Sequence, residues 1–211
     1  MTLTLTALCA AAYVLGGVPT GVLFGRIAGR DPRAVGSGNI GATNVTRALG
    51  RAWGAATLVV DLLKGLGPVV VARALVPDDS ALLASAAAGF AAVLGHCFSP
   101  FLKLRGGKGV ATAFGAMLGL AWPIAALAAV LWVAVVIISR VAALGSLAAM
   151  ACFVAAAFLD DRPTAVQAFA LLVAALVTAR HHANIRALRR PPPSHRPPKS
   201  TKPPKRRAAR R

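Results

Sequence analysis

Apolar residues along this chain fall in long unbroken runs, not in the alternating or 3.6-residue stripes of a soluble fold. The runs are Leu3 to Phe24, Trp53 to Ala74, Ala81 to Leu94, Val110 to Trp122, Ile124 to Ile138, Val141 to Leu159 and Thr164 to Thr178. Such runs predict membrane helices, since a bilayer core of about 30 Å takes roughly 20 residues at 1.5 Å each. Several are shorter than that, so five, six or seven crossings are compatible with the pattern. We take the chain as an all-α polytopic membrane protein with about seven transmembrane helices. The N-terminal run lacks a basic flank and a convincing cleavage site, so it is expected to stay as the first span.

The polar stretches between the runs decide the orientation. Arg26 to Arg51, then Lys103, Arg105 and Lys108, then Arg140, then Arg180 onward all fall on one side of a seven-span chain. Asp78, Asp79, Asp160 and Asp161 fall on the other, with Arg73 and Arg162 as the basic exceptions there. Basic loops stay in the cytoplasm. The N-terminus is therefore expected outside, with the polar motif loops on the cytoplasmic side of the cell membrane. Within the second run, Asp61 and Lys64 stand one near-turn apart and should pair in the bundle interior.

Composition agrees. Of 211 residues 57% are hydrophobic and 14% charged, with a formal charge of +18, against about 25% charged in a soluble domain. In a soluble protein that charge would suggest nucleic acid; here the bases flank membrane runs, and no nucleic acid is expected. The organisation is a membrane-embedded domain over 1–188 and a Pro/Lys/Arg-rich tail over 189–211, which cannot bury a core and is expected to be disordered beside anionic lipid heads. Cys9, Cys97 and Cys152 are isolated and suit buried apolar positions, not a disulfide framework or a zinc site.

Three polar islands carry the candidate chemistry. Gly36 to Arg47 (GSGNIGATNVTR) combines glycines with neutral donors and one arginine, without an acid, which suits a phosphate. Arg105 to Gly109 (RGGKG) reads as a glycine nest holding a lysine. It is not a Walker A loop, because Leu102 stands where the first glycine belongs and Gly109 where Ser or Thr is needed. The third island is His181 to Arg186 (HHANIR). No G-x-S-x-G elbow is present, neither His96 nor His181 is followed by the aspartate of the common glycerolipid acyltransferases, and no acid cluster offers a Mg²⁺ site. No metal and no cofactor is expected.

The stretches GSGNIGATNVTRALG (36–50), GHCFSPFLKLRGGKGVAT (95–112) and HHANIRAL (181–188) resemble the three signature motifs of the PlsY family, the bacterial acyl-phosphate:glycerol-3-phosphate acyltransferases. The third departs from that pattern: the family continues with a leucine pair and Gly-x-Glu, whereas this chain runs into Arg189-Arg190-Pro191. The resemblance implies transfer of an acyl group from a long-chain acyl phosphate to glycerol 3-phosphate, giving 1-acylglycerol 3-phosphate for phospholipid synthesis. It implies the lipid bilayer and the soluble enzyme that makes acyl phosphate as partners. On this reading Ser37, Arg47 and Lys108 bind phosphate. Asn39, Gly41, Thr43, Asn44, Gly106, Gly107, Gly109 and Thr112 complete the cradle, the 106–109 backbone facing an oxyanion. His181 is the candidate general base, with Asn184 and Ser37 beside it in the catalytic set; in a rival scheme the donor phosphate takes the proton. The alternative from chemistry alone is a membrane transporter of a phosphorylated metabolite.

Overall fold

The computed structural model describes residues 2–188. Among them every regular element is helical: α1 (Thr2–Gly17), α2 (Thr20–Ile27), α3 (Ala42–Leu49), α4 (Arg51–Leu75), α5 (Asp78–Cys97), α6 (Val110–Leu120), α7 (Trp122–Ser139), α8 (Ala142–Leu159), α9 (Thr164–Arg180) and α10 (His182–Leu188). Single 3-10 turns occupy Pro32–Ala34 and Pro100–Leu102. The tail over 189–211, with the departure from the third motif, lies outside the described residues.

All seven apolar runs are helical, but they are not equal spans. Leu3–Ile27, Arg51–Leu75, Asp78–Leu102, Trp122–Ser139 and Ala142–Leu159 are long and apolar enough to cross a bilayer. Thr164–Arg180 reaches that length only together with His182–Leu188, across a bend of 59°. The described residues thus hold five full-length candidates, or six with the bent pair, instead of seven. The shortfall lies in α6, whose 11 residues extend only about 16 Å. It lies against α4, α5, α7 and α9 inside the bundle, so it buries its surface in protein and needs less contact with lipid.

The chain passes back and forth relative to one polar end. α1 runs alongside α5, with Leu5 and Leu8 packed against the cluster of Ala72, Val76, Ala84 and Ala88 and Gly17 against Pro100. Both helices therefore point toward the end where the polar islands lie, and the N-terminus sits at the other end. α4 leaves the polar end, α5 returns to it, α6 leaves, α7 returns, α8 leaves and α9 returns. The apolar core groups Val93, Met117, Met150, Phe153, Phe169 and Val173, with Phe114 edge-on to Phe153.

Small residues set the spacing of the helices, as is usual where dispersion and not water exclusion drives packing. A Cβ added at Gly115 would stand 1.9 Å from the Leu62 carbonyl oxygen, and one at Gly65 would stand 1.9 Å from that of Thr112. α4 and α6 thus touch backbone to backbone. The Asp61–Lys64 pair is buried as expected: Lys64 Nζ lies 2.9 Å from Asp61 Oδ1. The ammonium also donates to the Val18 carbonyl at 2.5 Å and to the Thr20 hydroxyl, tying α4 to the break between α1 and α2 at Pro19.

Gly115→Ala should force α6 off α4 and cost about 1–3 kcal/mol, the usual range for overpacking. Thermal unfolding in detergent should show a lowered midpoint; an unchanged midpoint would mean the helices are not in backbone contact there.

Candidate anion-binding site

The first island is shaped by one side chain. Asn44, in the first turn of α3, is buried. Its Nδ2 donates to the carbonyls of Pro32 and Asn39, each at 2.8 Å. Its Oδ1 accepts from the Ser37 backbone N–H at 3.0 Å and the Ser37 hydroxyl at 3.3 Å. All four hydrogen-bonding capacities of a primary amide are thus engaged in folding the loop back on itself. Gly36 sits at φ +58°, where a Cβ would fall 2.7 Å from Asn44 Oδ1; only glycine fits. Asn39 Oδ1 accepts from Gly41 N–H at 2.9 Å, and Gly41 starts α3. Arg47 follows about one turn later in the same helix.

A cavity of about 490 Å³ opens at this end of the bundle, within the usual range for ligand pockets. Ser37, Asn39, Gly41, Thr43, Asn44, Arg47, Lys108, Gly109, His181 and Asn184 all line it. The three islands, far apart in sequence, therefore share one hollow. Lys108 Nζ donates to Asn184 Oδ1 at 2.6 Å, joining the second island to the third. His181 is buried and its Nδ1 lies 2.8 Å from the Val177 carbonyl. A carbonyl only accepts, so Nδ1 carries the proton and Nε2 of the neutral ring is left as an acceptor. Burial, with the guanidiniums of Arg180 and Arg47, lowers the Lys108 pKa below the ordinary lysine value.

Three expected members stand elsewhere. Gly106 and Gly107 do not line the cavity, and their N–H groups are occupied. Gly106 N donates to Cys97 O at 3.1 Å and Gly107 N to His96 O at 2.9 Å. The carbonyls of the last turn of α5 lack intrahelical donors, and these glycines supply them; the loop is a cap for α5, not an oxyanion nest. Thr112 is buried on α6 against α4. Its hydroxyl has no hydrogen-bond partner among the described residues, and it does not line the cavity.

The cavity also holds residues outside the expected set. Asp61 and His96 line it from α4 and α5, with His96 Nδ1 3.9 Å from Asp61 Oδ1. Arg140, Ser146 and Trp132 line it from the α7–α8 side, where Trp132 Nε1 donates to Ser146 Oγ at 3.3 Å. An acid inside an apolar run was a usable signal for Asp61; a serine in a small-residue helix gave none for Ser146. The lining divides by chemistry. Ser37, Arg47, Lys108, His181 and Asn184 give it polar groups, and Leu58, Leu62, Val110, Phe114, Ala129 and Val141 give it apolar ones. Asp61, the single acid in the lining, is paired with Lys64, so Arg47, Lys108 and Arg140 dominate the field.

These features define a polytopic α-helical membrane protein with one cavity lined by cations, short polar donors and apolar side chains. Residues 6–191 match the family profile for glycerol-3-phosphate acyltransferase, and the chain belongs to that acyltransferase family. It is 50% identical over 186 residues to the glycerol-3-phosphate acyltransferase of Geobacter sulfurreducens, covering 86% of this chain and 92% of the relative. It is 47% identical over 186 residues to that of Myxococcus xanthus, covering 88% and 96%. Among solved structures, the glycerol 3-phosphate form of PlsY, an integral membrane glycerol 3-phosphate acyltransferase, matches with a TM-score of 0.83 at 34% identity over 88% of this chain and 92% of that one. Its lysophosphatidic acid form matches with a TM-score of 0.81 at the same identity, over 88% and 91%.

Asn44→Asp keeps the shape of the hub side chain but replaces two N–H donors by an oxygen facing the Pro32 and Asn39 carbonyls. Leaving such buried groups unsatisfied costs about 1–3 kcal/mol each. Hydrogen exchange should speed up over residues 32–44 while the cores of α5 and α9 stay protected; unchanged exchange there would remove Asn44 from its role as hub.

Proposed function

We propose that this protein transfers a long-chain acyl group from acyl phosphate to the primary hydroxyl of glycerol 3-phosphate, releasing inorganic phosphate and 1-acylglycerol 3-phosphate. One observation carries the reading: one acid-poor hollow is lined both by the phosphate-suited groups Ser37, Arg47 and Lys108 and by apolar side chains of α4, α6 and α7. Both substrates bring phosphate, and one brings an acyl chain that gains about 0.8 kcal/mol per CH₂ by staying in an apolar setting. The polar end faces the cytoplasm of the cell membrane, where basic loops are retained and where the soluble enzyme that makes acyl phosphate can deliver its product.

In this scheme the acceptor hydroxyl attacks the carbonyl carbon of the mixed anhydride. The carbon–oxygen bond to phosphate breaks as the new ester bond forms, and the hydroxyl proton passes to His181 Nε2 or to the leaving phosphate. The donor is already activated, so positioning and charge stabilisation do most of the work. Arg47 and Lys108 hold phosphate. Ser37 and Asn184 orient the substrates beside His181. Transport of a phosphorylated metabolite is less well supported, because the hollow lies at one end of the bundle, whereas transport sites tend toward the midplane.

Purified protein given glycerol 3-phosphate with acyl phosphate, or with acyl-CoA instead, should make lysophosphatidic acid from the acyl phosphate. Product from acyl-CoA alone, or none from either, would contradict the reading. The protonated Lys108 ammonium is the form that attracts phosphate, and its pKa is lowered from the ordinary 10.5. The KM for glycerol 3-phosphate should therefore rise with pH at values below that figure, and the rise should vanish in Lys108→Arg, which stays charged.

A further inference from the structure

Arg180 lies outside the cavity but grips the loop that carries Lys108. Its Nε donates to the Gly107 carbonyl at 3.1 Å and its Nη2 to the Gly106 carbonyl at 3.0 Å. The guanidinium carbon stands 5.3 Å from the centroid of the Phe98 ring, so the aromatic face supports the fork from behind. On the loop's other edge, the same two glycines donate to the last carbonyls of α5. A Cβ at Gly107 would fall 2.2 Å from His96 Nε2, so the strap lies flat on α5 with no room to slide. The residue after the strap is Lys108, and the residue after Arg180 is His181.

We infer that Arg180 is a positioning residue for acyl transfer: it clamps the Gly106 and Gly107 carbonyls and so holds Lys108 in register with His181 and Asn184. The inference rests on the proposed role of Lys108 as a phosphate ligand. A planar guanidinium fixes its two donors in one rigid plane and so sets the direction of both carbonyls at once, whereas an ammonium on a flexible stem is a point charge without that fork. A basic residue serving only to anchor the helix end at lipid heads would instead leave its donors free for headgroups. Arg180 also contributes charge next to Lys108. The other charged or titratable groups facing Lys108 are Arg47 from α3 and His181 at the end of α9, with Asp61, His96 and Arg140 across the cavity.

The test uses the full chain in detergent with Arg180→Ala, Arg180→Lys and Arg180→Gln. Arg180→Ala should lower kcat/KM by about 100-fold, the loss expected when a catalytic group shifts by roughly 1 Å, while thermal midpoint and yield stay near wild type. Arg180→Lys, which keeps the charge and hydrogen-bond donors but not the planar fork, should recover part of that loss. Arg180→Gln removes the charge, so the alkaline limb in the KM for glycerol 3-phosphate should move to higher pH, while Arg180→Lys keeps the wild-type limb. Wild-type kinetics in Arg180→Ala would overturn the inference. If that variant is not recovered folded, the other two decide, and a limb shared by Lys and Gln variants would overturn it. Calorimetric titration of wild type with glycerol 3-phosphate separates the two readings. Failure of wild type to bind it or turn it over defeats the proposed function, whereas active wild type with equally active Arg180 variants defeats this inference alone.

Discussion

The hydrogen bond from Lys108 to Asn184, 2.6 Å long between residues 76 positions apart, is the contact on which the site depends. It ties the second island to the third, and the first island shares their cavity. α5 and α9 deliver the second and third islands to the same level, and α3 turns the first toward them. In a setting where water is scarce, each loop must satisfy its own backbone before it can address a ligand. Asn44 does this for the first island and the end of α5 does it for the second. The groups left over are the cations.

That division explains which parts of the site were legible in the sequence. Ser37, Arg47, Lys108, His181 and Asn184 stand out because short donors and fixed cations without acids are rare between apolar runs, and all five line one cavity. Gly106 and Gly107 have the residue types of an anion nest. Their sequence could not reveal that α5 ends with unsatisfied carbonyls directly beneath them, and capping took their N–H groups. Thr112 is one turn into α6, and its contact with α4 follows from how closely Gly65 and Gly115 let two backbones approach. That spacing is a tertiary fact. Arg140 was visible only as a basic loop residue, since its place on the cavity rim depends on α7 returning to the polar end.

The helix count has a similar origin. Apolar runs mark seven legs of the path, but a run does not record whether its helix meets lipid or protein. α6, sheltered by α4, α5, α7 and α9, can be 11 residues long because its ends are covered by its neighbours. Val110 and Phe114, from its first turns, line the cavity. The short helix thus supplies part of the apolar lining, where the fatty chain of the proposed acyl donor would lie.

The central claim is that Arg47 and Lys108, from separate islands, act on the same bound phosphate. A double-mutant cycle on glycerol 3-phosphate affinity, with Arg47→Ala, Lys108→Ala and the pair, tests it most directly. Groups sharing one ligand should be non-additive, with a coupling of about 0.5–3 kcal/mol. Two independent losses that simply add would place the cations on different partners and contradict the account.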